Sequence, residues 1–286
     1  GYDSGSLDGK VASSNNQTSE VGDGWNLSAS GYVERKYVPC ASDTDAVDGK
    51  TPNNATHKTG DMCWRSDNAT LVLAGSSSDL VKDATTGEWH AESDDNTKIE
   101  KLSGGWNEDN DKEYWKVTTD DGTQYVFGRD KRAVDDPVST YSSWTLPVYG
   151  NHPGEPCYQA AADGGFGASR CRQTWRWNLD YVIDVHGNTM TYVYGRESDN
   201  YGYNMGQGVA GYQRGGYLAR IDYGTRTGTL TDKAPYRVSL TTAERCVQAA
   251  SECEPGDLTD ATKSNWPDVP FDQICASTTD CKTKYS

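Results

Sequence analysis

The side chains most able to do chemistry in this chain are its acids, 42 Asp and Glu against 27 Lys and Arg. Asp43, Asp45 and Asp48-Gly49 share one polar loop, and hard cations such as calcium want several carboxylates on a tight turn. Their spacing departs from an EF-hand and no glutamate closes the loop, so a solvated acidic loop is expected there. Glu108, Asp109, Asp111 and Glu113 form a denser cluster beside a strand start. Asp109, Asp111 and Glu113 are the calcium candidates, and apart from them no cofactor is expected. Asp94-Asp95 and Asp120-Asp121 read first as turn residues. Two acids hydrolyse a glycoside only where one is buried and its pKa is raised, and the sequence singles out no such pair. It holds no G-x-S-x-G elbow and no Walker phosphate-binding loop. His57, His90, His152 and His186 are scattered, and His186 reads as a turn residue rather than a base. The expectation is a segment without catalytic residues.

Two other residue types bear on function. Trp106, Trp115, Trp144, Trp175 and Trp177 would stack on sugar rings if exposed, but aromatics alternating along a strand belong to a core. The eight cysteines fall into close pairs, Cys40 with Cys63, Cys157 with Cys171, Cys246 with Cys253 and Cys275 with Cys281. None forms C-x-x-C and no histidine stands at zinc-ligand spacing from a pair, so disulfides that close local loops are the economical reading. Sequence alone does not fix their connectivity. Disulfides point to an oxidising compartment, hence to a secreted, extracellular or cell-surface protein. Asn16, Asn26, Asn54 and Asn68 stand in N-x-Ser/Thr sequons that would suit exposed loops.

The elements that position these residues are strands. In Gln173 to Arg196, Trp175, Trp177, Leu179, Tyr181 and Ile183 fall on every second residue, with Arg176, Asn178 and Asp180 between them. Period two predicts a half-buried strand, its aromatics packed and its polar residues wet. His186-Gly187-Asn188 supplies a tight turn, after which Met190, Tyr192 and Tyr194 resume the alternation. A second hairpin spans Lys112 to Gly128 around Asp121-Gly122. Its exit, Tyr125-Val126-Phe127-Gly128-Arg129, matches Tyr192-Val193-Tyr194-Gly195-Arg196, with a looser echo at Ile221 to Arg226, as in stacked hairpins. Shorter strands are expected at Gly31 to Val38, Met62 to Gly75, Leu80 to Lys82, Glu88 to Glu92, Thr97 to Leu102 and Tyr236 to Leu240. The domain organisation read from these is a flexible lead-in over 1–23, an N-terminal β domain over 24–132, an irregular connection over 133–172 with four prolines, and a hairpin segment over 173–286. Met205 to Gly216 reads as a glycine-rich loop. Lys282 to Ser286 offers no closing element, and the hairpin segment is expected to continue beyond it.

Composition agrees. With 18 Tyr and 9 Trp but only 3 Phe and 3 Met, core volume comes from rings with polar ends, which suits sheets better than a helical bundle. The fold class is all-β: antiparallel hairpins and sheets with long disulfide-stapled loops. A net charge of −15 disfavours nucleic acid and anionic lipid as partners. No apolar run reaches the ~18 residues a membrane span requires.

The turn-and-strand unit Asp184, Gly187, Asn188, Tyr192, Tyr194, Gly195, Arg196 resembles a repeat of the RHS/YD-repeat family of large secreted bacterial proteins. Further segments resemble the N-terminal part of actinobacterial members, relatives in architecture of the B and C components of insecticidal toxin complexes. They are Gly24 to Leu27, Gly31 to Arg35, Gly60 to Trp64, Glu113 to Val117, Tyr125 to Gly128, Gly216 to Gly224 and Trp266 to Pro270. Their order is more specific than any one of them. The resemblance implies secretion and a β-sheet that coils into a hollow shell, enclosing or presenting a toxic C-terminal segment. On this reading the chain is a structural opening portion whose partners are downstream repeats or that toxin. The family's proteolytic residues lie outside these 286 residues. The competing reading is an extracellular carbohydrate-binding or adhesion module for a cell-surface glycan, with a glycoside hydrolase a third.

Overall fold

The computed structural model describes residues 2–4, 25–27, 31–47, 49–54, 59–93, 96–243, 246–247, 253–259 and 261–266. The fold is all-β, with one short helix, α1 (Gly165–Ala168), among the described residues. Strands β1 (Tyr2–Ser4) and β2 (Trp25–Leu27) pair antiparallel in a small sheet of their own, so part of the expected lead-in is strand.

The other strands share one sheet. In chain order they are β3 (Tyr32–Glu34), β4 (Val38–Pro39), β5 (Met62–Cys63), β6 (Ala69–Leu73), β7 (Ser76–Lys82), β8 (Trp89–Ala91), β9 (Lys98–Leu102), β10 (Tyr114–Thr118), β11 (Gln124–Phe127), β12 (Ser143–Tyr149), β13 (Arg170–Ile183), β14 (Asn188–Tyr203), β15 (Gly208–Arg226) and β16 (Tyr236–Ser239). Eight of them close a ring, β13-β3-β6-β7-β8-β9-β10-β11 and back to β13, with every pairing antiparallel. Eight strands leave an interior just wide enough for side chains to fill. Here Trp89, Trp115 and Trp177 stack edge-to-face through it, ring centroids 5.0 and 6.0 Å apart. Val33, Leu71, Ile99, Val117, Phe127 and Leu179 complete the packing. Gly128 has φ +68°, and a Cβ there would overlap the Trp177 indole, so only glycine fits where this strand passes the ring.

Strand β13 organises the molecule. It is bonded to β11 and β3, which close the barrel, and also to β12 and β14, which lead out of it. The strands on either side of the 133–172 connection therefore form one sheet, and β12 lies within that connection. Two bulges make the divergence possible. Trp175 is the extra residue opposite Trp144/Thr145, and Asp180 the extra residue opposite Val126/Phe127. The bulge at Asp180 inverts the alternation. Trp177, Leu179 and Val182 pack on the barrel core, whereas Tyr181 lies outside that cluster and accepts a hydrogen bond from Arg129 Nη1 at 2.9 Å. The expectation that Asn178 and Asp180 meet water is corrected: both are buried.

Strands β14 and β15 form a long twisted ribbon from Asn188–Arg226 to Tyr203–Gly208, with three register shifts. Met205 to Gly216, expected as a loop, is a turn followed by strand. Two glycines of the ribbon, Gly195 on β14 and Gly208 on β15, are cross-strand partners of rings. A Cβ on Gly195 would strike Tyr217, and one on Gly208 would strike Tyr203, so each tyrosine covers the backbone of the glycine opposite. Strand β16 pairs with β15. A second cluster, Cys40, Cys63, Tyr149 and Phe166, holds β4, β5 and α1 on the flank of β12.

Candidate functional site

The densest polar machinery lies where the β14–β15 ribbon leaves the barrel. Asp180, carried inward by its bulge, is fully buried (0 % exposed). Its Oδ2 accepts from the Asp130 amide at 2.8 Å and lies 3.0 Å from Ser142 Oγ. Asp130 Oδ1 accepts from the Ser143 amide at 2.8 Å and lies 3.2 Å from the same hydroxyl. Ser142 has one proton for two carboxylates. Burial pushes the Asp180 carboxyl up to about 7, so its protonated form is favoured far more than in an exposed aspartate. The other end is neutralised by Arg196, which bonds Asp130 Oδ2 and the Ser143 carbonyl and sits against Tyr141. Arg196 and Tyr194, both in the repeat unit, thus fix the ribbon to the barrel. The Tyr194 hydroxyl donates to the Leu179 carbonyl at 2.9 Å. The joint has the raised pKa that acid–base chemistry uses, and the Asp180 side chain is closed off from solvent.

The turn is held by Asp184. Its Oδ1 accepts the amides of His186 and Asn188, at 2.9 and 2.8 Å, and its Oδ2 accepts from Asn188 Nδ2. Gly187 takes φ +77°. Tyr192 enters the barrel core, while Met190 is exposed.

A second joint locks the loop before β10 to β13. Asp109 Oδ1 accepts the Asp111 amide at 2.9 Å, and its Oδ2 accepts the Thr174 amide at 2.6 Å. Burial raises its pKa. Glu113 receives Arg35 Nη1 at 3.0 Å and Lys101 Nζ at 2.6 Å. Burial pushes the Glu113 carboxyl up, and these two cations more than offset it, leaving it below the ordinary range. Asp111 accepts from Asn110 and Gln173. The oxygens named as calcium candidates are thus held by N–H donors. Arg35 is buried between the rings of Trp64 and Trp177, 4.6 and 5.1 Å from their centroids.

Of the five tryptophans considered for sugar stacking, Trp115, Trp144 and Trp177 are buried. Trp175 packs on Trp144 and donates to the Gln213 carbonyl, and Trp106 is covered by Arg129. The exposed aromatic pair is one the sequence did not single out, Tyr223 and Tyr236, stacked 5.3 Å apart across β15 and β16. Cys40–Cys63, Cys157–Cys171 and Cys246–Cys253 are bonded, with Cα atoms 4.9, 5.7 and 5.6 Å apart. Cys275 and Cys281 lie outside the described residues, as do His57, Asp48, Asp94, Asp95, Asn16 and Trp-flanking residues 267–270. Asn54 is buried, and Asn68 bonds the Lys36 backbone at 2.8 and 2.9 Å. His90 is exposed on β8. Asp43, assigned to a solvated loop, instead meets His152 and Glu155, a convergence of residues too far apart in sequence to be read as a motif.

No family model matches the chain, and no curated protein matches it. Among solved structures it is similar to the N-terminal domain of the effector protein SpvB from Salmonella typhimurium strain LT2, at 15% identity and a TM-score of 0.40, covering 85% of this chain and 72% of that one. It is similar to the crystal structure of TcdB2–TccC3 at 13% identity and a TM-score of 0.34, covering 82% of this chain. For the Photorhabdus luminescens Tc holotoxin pore the values are 14%, 0.33 and 77%. The chain spans 10% of the matched chain in the former and 8% in the latter. None of these overlaps assigns a role to any residue of this chain.

Proposed function

We propose that the chain is a non-catalytic structural and assembly segment of a secreted RHS/YD-repeat-type protein, contributing to a β-shell that encloses or presents a C-terminal toxin. The observation that carries this reading is the way the sheet grows out of the barrel and ends on an open edge. Beyond β13 it continues as β14, β15 and β16, and among the described residues β16 is paired on one side only. All four residues of β16 are exposed. The Leu240 amide donates to the Ala219 carbonyl. Amides alternate along an antiparallel strand, so those of Arg237 and Ser239 point away from β15. Such an edge is a template for the next strand. The order of family-like segments along the chain supports downstream repeats of the same protein as the source of that strand. The disulfides support secretion.

Ser239→Pro removes one outward amide and spares the ladder to β15. The expected result is an unchanged melting temperature with loss of stable association between this segment and the repeats that follow. Association as tight as in the parent would sink the proposal. The second reading, a glycan-binding module, is favoured by the exposed Tyr223–Tyr236 stack. Glycan-array binding abolished by Tyr236→Ala would support it over the first.

A further inference from the structure

We infer that Asp43, His152 and Glu155 form a binding site for one divalent transition-metal ion of the zinc class. The site lies apart from both joints and from the β16 edge. Asp43 follows the turn Cys40–Ser42, and His152 and Glu155 follow the end of β12. The Cys40–Cys63 disulfide ties the first of these loops to the strand beside β12.

His152 is 4 % exposed. Its Nδ1 lies 3.1 Å from Glu155 Oε1 and 3.7 Å from Asp43 Oδ2. Its Nε2 lies 3.0 Å from the Asp45 carbonyl oxygen. A carbonyl only accepts, so Nε2 carries a hydrogen. Nδ1 faces two carboxylate oxygens, so a positive charge belongs between them, either a proton on Nδ1 or a metal ion bound through its lone pair.

Each ligand is held by a partner of its own. Asp43 Oδ2 accepts from Asn151 Nδ2 at 2.8 Å. Glu155 Oε2 accepts the amides of Asn151 and His152 at 2.7 and 2.9 Å, which leaves Oε1 aimed at the ring. A carbonyl on the distal imidazole nitrogen and hydrogen bonds on each carboxylate are what orient ligands at metal centres. Ligand atoms about 2.0–2.1 Å from a tetrahedral zinc ion stand roughly 3.3 Å apart. The two contacts to Nδ1 bracket that value, and all three ligand atoms lie within 4.8 Å of one another. One imidazole and two carboxylates suit zinc or cobalt better than calcium, which wants six to eight oxygens. Three protein ligands leave a position for water or for a donor from a partner.

The competing occupant is a proton, and the experiment separates the two. The full chain, bearing no affinity tag and stripped with chelator, is titrated with Zn²⁺ by calorimetry and with Co²⁺ by visible absorption at pH 7.5. The expected result is saturable one-to-one binding, visible Co²⁺ bands of a low-coordinate site, and a melting temperature raised by Zn²⁺ and restored by chelator. His152→Gln keeps a donor for the Asp45 carbonyl and removes the Nδ1 ligand. Glu155→Gln keeps an acceptor for the two amides and removes the charge. Each variant is expected to lose at least tenfold in Zn²⁺ affinity while its melting temperature without metal stays within a few degrees of the parent. Absence of saturable binding in the parent, with the His152 ring protonated at both nitrogens, would overturn the proposal in favour of the proton. Undiminished one-to-one binding in both variants would place the ion elsewhere and overturn it equally.

Discussion

Asp180 shows how one residue couples register, burial and titration. Its ordinary pKa is near 3.9, and in the folded chain burial raises it to about 7. Between those values the native state keeps a proton that the unfolded state has lost, so this group's contribution to stability is full below pH ~4 and falls as pH rises to ~7. The slope is at most ~1.4 kcal/mol per pH unit. Asp180→Asn, which keeps an acceptor for the Asp130 amide, is expected to flatten the stability profile across that window and to be the more stable protein at pH 8. Denaturant unfolding at a series of pH values measures it, and parallel profiles for parent and variant would refute the assignment. Arg196 is the counter-charge for Asp130, and Arg196→Gln is expected to cost about 3–5 kcal/mol, since it strands a buried carboxylate. The same unfolding assay reads that loss. At this scale the sequence was half legible. Trp177, Leu179, Tyr192 and Tyr194 fall in the core as period two requires. Asp180 was placed in water because a bulge adds one residue and reverses the face, and nothing in a period-two pattern records the extra residue.

The local hairpins were legible because their turns are written in adjacent residues. Asp121-Gly122 and Asp184 to Asn188 name their own geometry, and β10–β11 and β13–β14 form around them. The barrel was not legible, because its closure depends on β3 and β11 meeting β13, strands distant in sequence that leave no local signal. The glycine run before Tyr217 was misread for a related reason. Gly208 faces the Tyr203 ring on the opposite strand, and that partner is visible only once β14 and β15 are paired. Gly128 gives the element-scale test. Its positive φ and the indole against it make Gly128→Ala destabilising by more than ~2 kcal/mol. Near-UV circular dichroism should report loosened tryptophan packing in the same variant. A variant with the parent's midpoint and spectrum would mean that Trp177 does not lie against this strand.

For the whole molecule, the account is a closed aromatic barrel whose sheet runs on into a ribbon and, among the described residues, ends on an edge paired on one side only. The disulfides brace the loops around this frame. Cys40–Cys63 spans 23 residues, and a loop of that size contributes about 3 kcal/mol through the unfolded state. Replacing both cysteines by serine should lower the melting temperature by on the order of 10 °C, and an unchanged melting curve would show that the loop is braced by other contacts. The central claim concerns the β16 edge. It is tested most directly by amide hydrogen exchange at Arg237 and Ser239, compared between this 286-residue chain alone and the protein as isolated from its producing culture. The account predicts fast exchange at both amides in the isolated chain and strong protection in the native protein, where the next strand covers the edge. Equally fast exchange in both would contradict it and leave the edge, and with it the shell, without a partner.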